Sequence, residues 1–259
     1  MQATPILLSC DGPVATLRFN RPAQLNAIDV TLAEAFEAAV ERLSADADIR
    51  VIVLAGEGRA FMAGGDLSVF RSDEPLADCA DLLIGPMHRA VQRLYAAPQI
   101  VLASLGGAVA GAGVSLALLA DLAIAADDMT MNMAYARIQA VPDCSGSWGL
   151  TRLVGVRKAL EIALLSEPVN AAEALRLGLV NRVVPRAALE AETAALAARI
   201  ARQSPTSALG IRSLIRSAVE APLSRQLDDE RAAFRACAQT PEFSAAIASF
   251  FARRDATPA

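Results

Sequence analysis

Between Ile100 and Ala126 the chain carries a single charged residue, Asp121, and this apolar stretch constrains the fold more than any other segment. It is long enough for a membrane span. Yet Gly106, Gly107, Gly111 and Gly113 interrupt it with positions that bend the backbone instead of propagating a helix. The pattern resolves into a strand from Ile100 to Leu105, a glycine turn, a helix to Ala120 and a second strand from Leu122 to Ala125. A segment this apolar belongs in a core, with both faces of its strands covered.

The same unit recurs on either side. Val51-Ile52-Val53-Leu54-Ala55 is another continuous apolar run of strand length, and Val14 to Phe19 alternates loosely before the turn Asn20-Arg21-Pro22. A helix follows from about Thr31, with Leu32, Phe36, Ala39, Val40 and Leu43 on one face and Asp29 as its N-cap. An apolar helix is expected around Leu82 to Leu94. Asn170-Ala171-Ala172-Glu173 opens a short helix that Gly178 closes before a strand from Val180 to Val184. Strand, turn and helix alternate, which predicts an α/β core. From Ala187 onward only helices are visible, three or four of them, with Pro205, Pro222 and Pro241 near their starts and Thr240 as an N-cap.

With 259 residues, 54% of them hydrophobic, the chain can bury a full core. A net charge of -4 and scattered basic residues argue against a nucleic-acid partner. Cys10, Cys79, Cys144 and Cys237 lie far apart without a CxxC pair, and His88 is the sole imidazole, so neither a zinc site nor a disulfide framework is expected. The N-terminus shows no basic start followed by an apolar run. A reducing cytoplasm, away from the membrane, is the expected location.

Two glycine turns carry the candidate chemistry: Gly56 to Leu67, after a buried strand and before an expected helix, and Gly106 to Gly113, again between strand and helix. Small residues let a ligand approach the backbone, and free N–H groups at a helix start favour negative charge. Two such donors meeting at one point would make an oxyanion hole. Gly111-Ala112-Gly113 also looks like the start of a dinucleotide fingerprint, but Leu116 stands at the third glycine position, which argues against a nicotinamide site.

Read together, Asn20-Arg21-Pro22 with Leu25-Asn26-Ala27, Gly58-Arg59-Ala60-Phe61 with Ala63-Gly64-Gly65-Asp66-Leu67, and the segment Gly106 to Asp121 resemble the crotonase (enoyl-CoA hydratase/isomerase) superfamily. The likeness continues through Val141-Pro142-Asp143, Trp148, Leu153-Val154-Gly155 and Leu177-Gly178-Leu179-Val180, in order and spacing. The resemblance implies an α/β spiral of ββα units over residues 1–190 with the coenzyme A site, and a C-terminal helical trimerisation region over residues 191–259. It implies an acyl-CoA substrate with no separate cofactor, and a homotrimer or a dimer of trimers. The family's oxyanion amides fall on Gly65 and Ala112, and its adenine and pantetheine contacts on Gln24, Leu25, Ala27, Ala63, Asp66 and Leu67.

The departures from the family pattern bear on the chemistry. Hydratases of this type carry two glutamates, at positions occupied here by Ser115 and Tyr135. Neither is a good base at neutral pH, so both are expected to line the pocket, with Tyr135 able to orient a substrate oxygen. Asp143 matches the carboxylate of the ring-1,2-epoxyphenylacetyl-CoA isomerase branch, and a single carboxylate suffices for an allylic proton shift. The expected activity is thus an acyl-CoA isomerase, moving a double bond or opening an epoxide ring. Alternatives are hydratase-like or dehalogenase-like chemistry on an acyl-CoA, and a non-catalytic acyl-CoA-binding subunit. Taken alone, Asp143 would read as a turn aspartate after Pro142.

Overall fold

The apolar runs become the centre of a six-stranded sheet. A computed structural model describes residues 4–255. In chain order its strands are β1 (Ile6–Asp11), β2 (Val14–Phe19), β3 (Val51–Gly56), β4 (Ala60–Met62), β5 (Ile100–Leu105), β6 (Ala108–Ala110), β7 (Leu122–Ala126), β8 (Thr130–Asn132), β9 (Val169–Asn170) and β10 (Arg182–Val184). The helices are α1 (Val30–Ala45), α2 (Leu76–Ala96), α3 (Ala112–Leu119), α4 (Gly146–Leu165), α5 (Ala171–Arg176), α6 (Leu189–Ala201), α7 (Pro205–Ser217), α8 (Leu223–Ala238) and α9 (Pro241–Asp255). Two compact units result, Met1–Ala198 and Arg199–Ala259.

The larger sheet runs β1-β2-β3-β5-β7-β10 and is parallel except for the β1–β2 pair. Its central strands β3 and β5 are buried along nearly their whole length, which explains why they read as unbroken apolar runs. A second sheet, β4-β6-β8-β9, was not expected from the residue pattern. Its strands are two or three residues long, too short to show a period, and β4 and β6 sit inside the glycine turns. Three times the chain gives one strand to each sheet and then a helix: β3-β4-α2, β5-β6-α3 and β7-β8-α4.

Aromatic rings join the sheets. Phe19 of β2 meets Phe61 of β4 edge-on at 5.6 Å and Phe36 of α1 at 5.4 Å, all three fully buried. Asp29 caps α1 by accepting from the Leu32 amide at 2.8 Å. On the exposed side α1 is tied to α2 by a two-pronged Arg89–Glu37 pair and by Arg93–Glu41 at 3.2 Å, contacts worth only about 0–1 kcal/mol each. Helix α2 begins six residues before the expected Leu82, because Pro75 precedes its first turn and Pro86 is accommodated within it. Helix α4 is broken at Gly155, which adopts φ 74° and ψ 163°.

In the second unit α7 and α8 pack together, with Gln226 donating to the Leu214 carbonyl at 3.1 Å. Phe234 of α8 meets Phe243 of α9 at 5.8 Å, and the Thr240 hydroxyl accepts from the Phe243 amide, as its N-cap position predicts. Among the described residues, no helix is long and apolar enough to cross a membrane.

Candidate active site

The first glycine turn is held by Asn26. Its side chain is fully buried and donates to the carbonyls of Glu57, Ala60 and Phe61 at 3.0, 2.8 and 3.1 Å, while its Oδ1 accepts from the Arg21 amide at 2.8 Å. Leu25 and Asn26 are both left-handed, at φ 52° and 58°, a conformation asparagine tolerates better than most residues. This clasp brings residues 25–28 alongside 63–66: Ala63 donates to Leu25, Ile28 to Gly64, and Asp66 to Ile28. The bridge uses the carbonyl before Gly65 and the amide after it, leaving the Gly65 amide outside.

The second turn meets the first. Gly64 and Gly111 both have positive φ, 93° and 51°, and a Cβ built on either would lie 3.4 Å from the other's Cα. Only glycine allows both the backbone angle and the approach. Ala112 opens α3, so its amide has no intrahelical acceptor. Among the described residues, neither the Gly65 nor the Ala112 amide donates to another protein group. The two glycine turns thus present one free donor each, from adjoining backbone segments. Gly65 is exposed and Ala112 is 4% exposed.

The carboxylate lies on the same side as the second turn. Tyr135 sits beside Gly111, with its phenol carbon 4.0 Å from where a Gly111 Cβ would be. Its hydroxyl donates to Asp143 Oδ1 in a short hydrogen bond. Ser115, fully buried on α3, lies 3.4 Å from the same phenol oxygen. Because the phenol proton points to Asp143, the serine hydroxyl is left to donate to Tyr135, giving the chain Ser115, Tyr135, Asp143. Burial and then the neighbouring Asp143 charge push the Tyr135 pKa far up, so the phenol remains a donor through the ordinary pH range.

Cys144 follows Asp143 and is 1% exposed. Burial, the Asp143 charge and a hydrogen bond to that carboxylate all raise the thiol's pKa, which suppresses thiolate chemistry. Cys144 and Ser145 adopt φ 49° and 74°, two successive left-handed residues that cost roughly 1–3 kcal/mol each. The bend is fixed by Gly146 donating to the Asp143 carbonyl at 2.8 Å and by Cys144 donating from its backbone amide to His88 Nε2 at 3.1 Å.

The site therefore assembles Gly65, Ala112, Ser115, Tyr135 and Asp143 from three strand–helix connections. The Tyr135 hydroxyl, which the sequence left free to orient a substrate oxygen, is committed to Asp143. Gln24, Leu25, Ala27, Ala63, Asp66 and Leu67 flank the first turn, where Gln24 and Leu67 are exposed. The Asp66 carboxylate accepts from the Ser68 hydroxyl at 2.7 Å and the Ser68 amide at 3.1 Å, and pairs with Arg21 at 3.2 Å. Ser68, then Arg21, hold its pKa below the usual range, so its side chain is already occupied. The turn leads into a 3₁₀ segment, Leu67–Arg71, in place of the expected helix. Sequence reasoning missed the roles of Asn26 and His88; the place of Asn26 in the Leu25-Asn26-Ala27 element was the only signal for the first. Among the described residues, no group of three or more His, Cys, Asp or Glu side chains could hold a metal ion.

Comparison with known proteins agrees with the fold. The family model described as enoyl-CoA hydratase/isomerase matches residues 10–257. The 1,2-epoxyphenylacetyl-CoA isomerase of Escherichia coli K12 is 34% identical, with 96% of each chain covered. A protein of Rhodobacter capsulatus named probable enoyl-CoA hydratase is 33% identical over 93% of this chain and 92% of its own. A Thermobifida fusca YX protein solved in complex with CoA superposes with a TM-score of 0.83 at 30% identity, covering 90% of this chain and 92% of that one.

Proposed function

The chain belongs to the enoyl-CoA hydratase/isomerase family, and from that premise we propose that it is an acyl-CoA isomerase with Asp143 as its proton carrier. One observation carries the reading: the carboxylate is held by Tyr135, with Ser115 behind, where a hydratase of this family would place two glutamates. In the reaction, the Gly65 and Ala112 amides take the thioester oxygen of a bound acyl-CoA. Asp143 removes a proton from the α-carbon of a β,γ-unsaturated chain. The electron pair flows through the conjugated system, and negative charge on the thioester oxygen is met by the two amides. Asp143 then returns the proton to the γ-carbon, giving the α,β-unsaturated product with no net change in composition. The phenol occupies Oδ1, and in this reading Oδ2 carries the travelling proton. Opening an epoxide ring of an aromatic acyl-CoA uses the same pair of elements, and the 34% identical relative that bears that name favours this substrate class.

Water addition is the second reading, since a relative at 33% identity is named a hydratase. It asks for a group to activate water and another to handle the α-proton. Tyr135 stays protonated and Ser115 is buried, so one carboxylate would have to do both. Homotrimeric assembly belongs to the same proposal; exposed Ile211, Ile215, Leu223 and Leu227 on α7 and α8 fit a self-association face, which light scattering would measure.

A panel of 3-enoyl-CoA, 2-enoyl-CoA and aryl-epoxide thioesters tests the assignment. Isomerised product from the wild type, and a fall of about 10²–10⁴ in Asp143→Asn with CoA binding retained, is expected. Hydroxyacyl product from the 2-enoyl substrate without isomerisation, or equal activity in the variant, would reject it.

A further inference from the structure

The mechanism above leaves one polar side chain at the site unused. His88, on α2, accepts the backbone N–H of Cys144 at 3.1 Å through Nε2. A backbone amide can only donate, so the ring nitrogen facing it must carry its lone pair and the ring proton must sit on Nδ1. The acceptor reaches across 56 positions to the residue that follows Asp143. That residue begins a bend of two left-handed side-chain-bearing positions, Cys144 and Ser145, a conformation that persists only where the surroundings hold it. On its far side the bend is held by Gly146 donating to the Asp143 carbonyl and Gly149 donating to the Ser145 carbonyl, both at 2.8 Å. The Ser145 hydroxyl contributes none, being buried without a protein partner. These backbone bonds do not involve the carboxylate itself; they fix the backbone from which the Asp143 side chain projects.

We propose that His88 is a positioning residue for Asp143: by accepting the Cys144 amide it locks the left-handed bend and so aims the carboxylate at the substrate carbon. Tyr135 fixes the far end of the same side chain by its own bond, so Asp143 is held both at its carboxylate and through the backbone that follows it. The inference rests on the isomerase reading for its kinetic consequence, whereas the bond itself can be judged without substrate.

Because His88 is the single histidine, long-range ¹H–¹⁵N correlation on the untagged, ¹⁵N-labelled protein reads its tautomer without ambiguity. The expected result is a protonated Nδ1 with a bare Nε2; a predominantly Nε2–H ring would overturn the proposal whatever the enzyme does. For the kinetic part, His88→Leu removes the acceptor and His88→Gln restores one at a similar reach. His88→Leu is expected to lower kcat about tenfold, as for a lost hydrogen bond, with KM changed less than about twofold. His88→Gln should recover to within about threefold of wild type, with both variants melting near the parent temperature. Wild-type turnover in His88→Leu, equal loss in both variants, or a loss confined to KM would each overturn it. If the wild type isomerises nothing, the functional reading falls, and the tautomer still decides whether the bend is held as proposed.

Discussion

Replacing Asn26 tests how the first oxyanion donor is built. Its two amide hydrogens serve three carbonyls, two of them, on Ala60 and Phe61, in the fully buried β4. Asn26→Ala strands those two acceptors at about 1 kcal/mol or more each, and holding alanine left-handed at φ 58° adds about 1 kcal/mol, for a loss of roughly 3 kcal/mol. Asn26→Asp separates shape from hydrogen bonding. It keeps the volume and tolerates the backbone angle, but it turns an oxygen toward three carbonyls, so its loss should equal or exceed that of alanine. Trp148 is the sole tryptophan and lies in the same unit, so urea unfolding followed by its fluorescence reads both variants. A shifted midpoint at unchanged slope is the expected signature. An aspartate variant within 1 kcal/mol of the parent would refute the clasp.

Three further outcomes follow from the site. Ala112→Pro removes one oxyanion amide at the first helical position, where proline is tolerated, so kcat should fall about 10²–10³ while circular dichroism stays unchanged. Cys144, buried and with a raised thiol pKa, should resist alkylation at pH 8 that modifies exposed Cys10, as mass spectrometry of the labelled peptides would show. Asp66 has a depressed pKa, so its bonds to Ser68 and Arg21 stabilise the fold above the usual carboxylate range and lose that contribution as pH falls through the depressed value. Asp66→Asn should flatten the acid limb of the stability–pH curve, and an unchanged limb would contradict the assignment.

The larger sheet was legible in the sequence because burial on both faces writes a strand as an unbroken apolar run, as in β3 and β5. Caps were legible for a different reason: Asp29, Asn170 and Thr240 act within three residues of themselves. The smaller sheet was hidden, since strands of two or three residues carry no period, and its existence followed only from family resemblance. At the site the same division holds. The glycine turns and Asp143 stand out as local patterns, whereas the clasp from Asn26 to Phe61 and the bond from Cys144 to His88 join residues 35 and 56 positions apart, and no local pattern encodes them.

The central claim is that one carboxylate both takes and returns the migrating hydrogen, and isotope transfer measures this within a single turnover. With a 3-enoyl-CoA deuterated at the α-carbon, product mass and position at low conversion should show part of the label moved to the γ-carbon, with transfer lost in Asp143→Asn. Label released wholly to solvent alongside a hydroxylated product, or transfer that persists without the Asp143 carboxylate, would contradict the account.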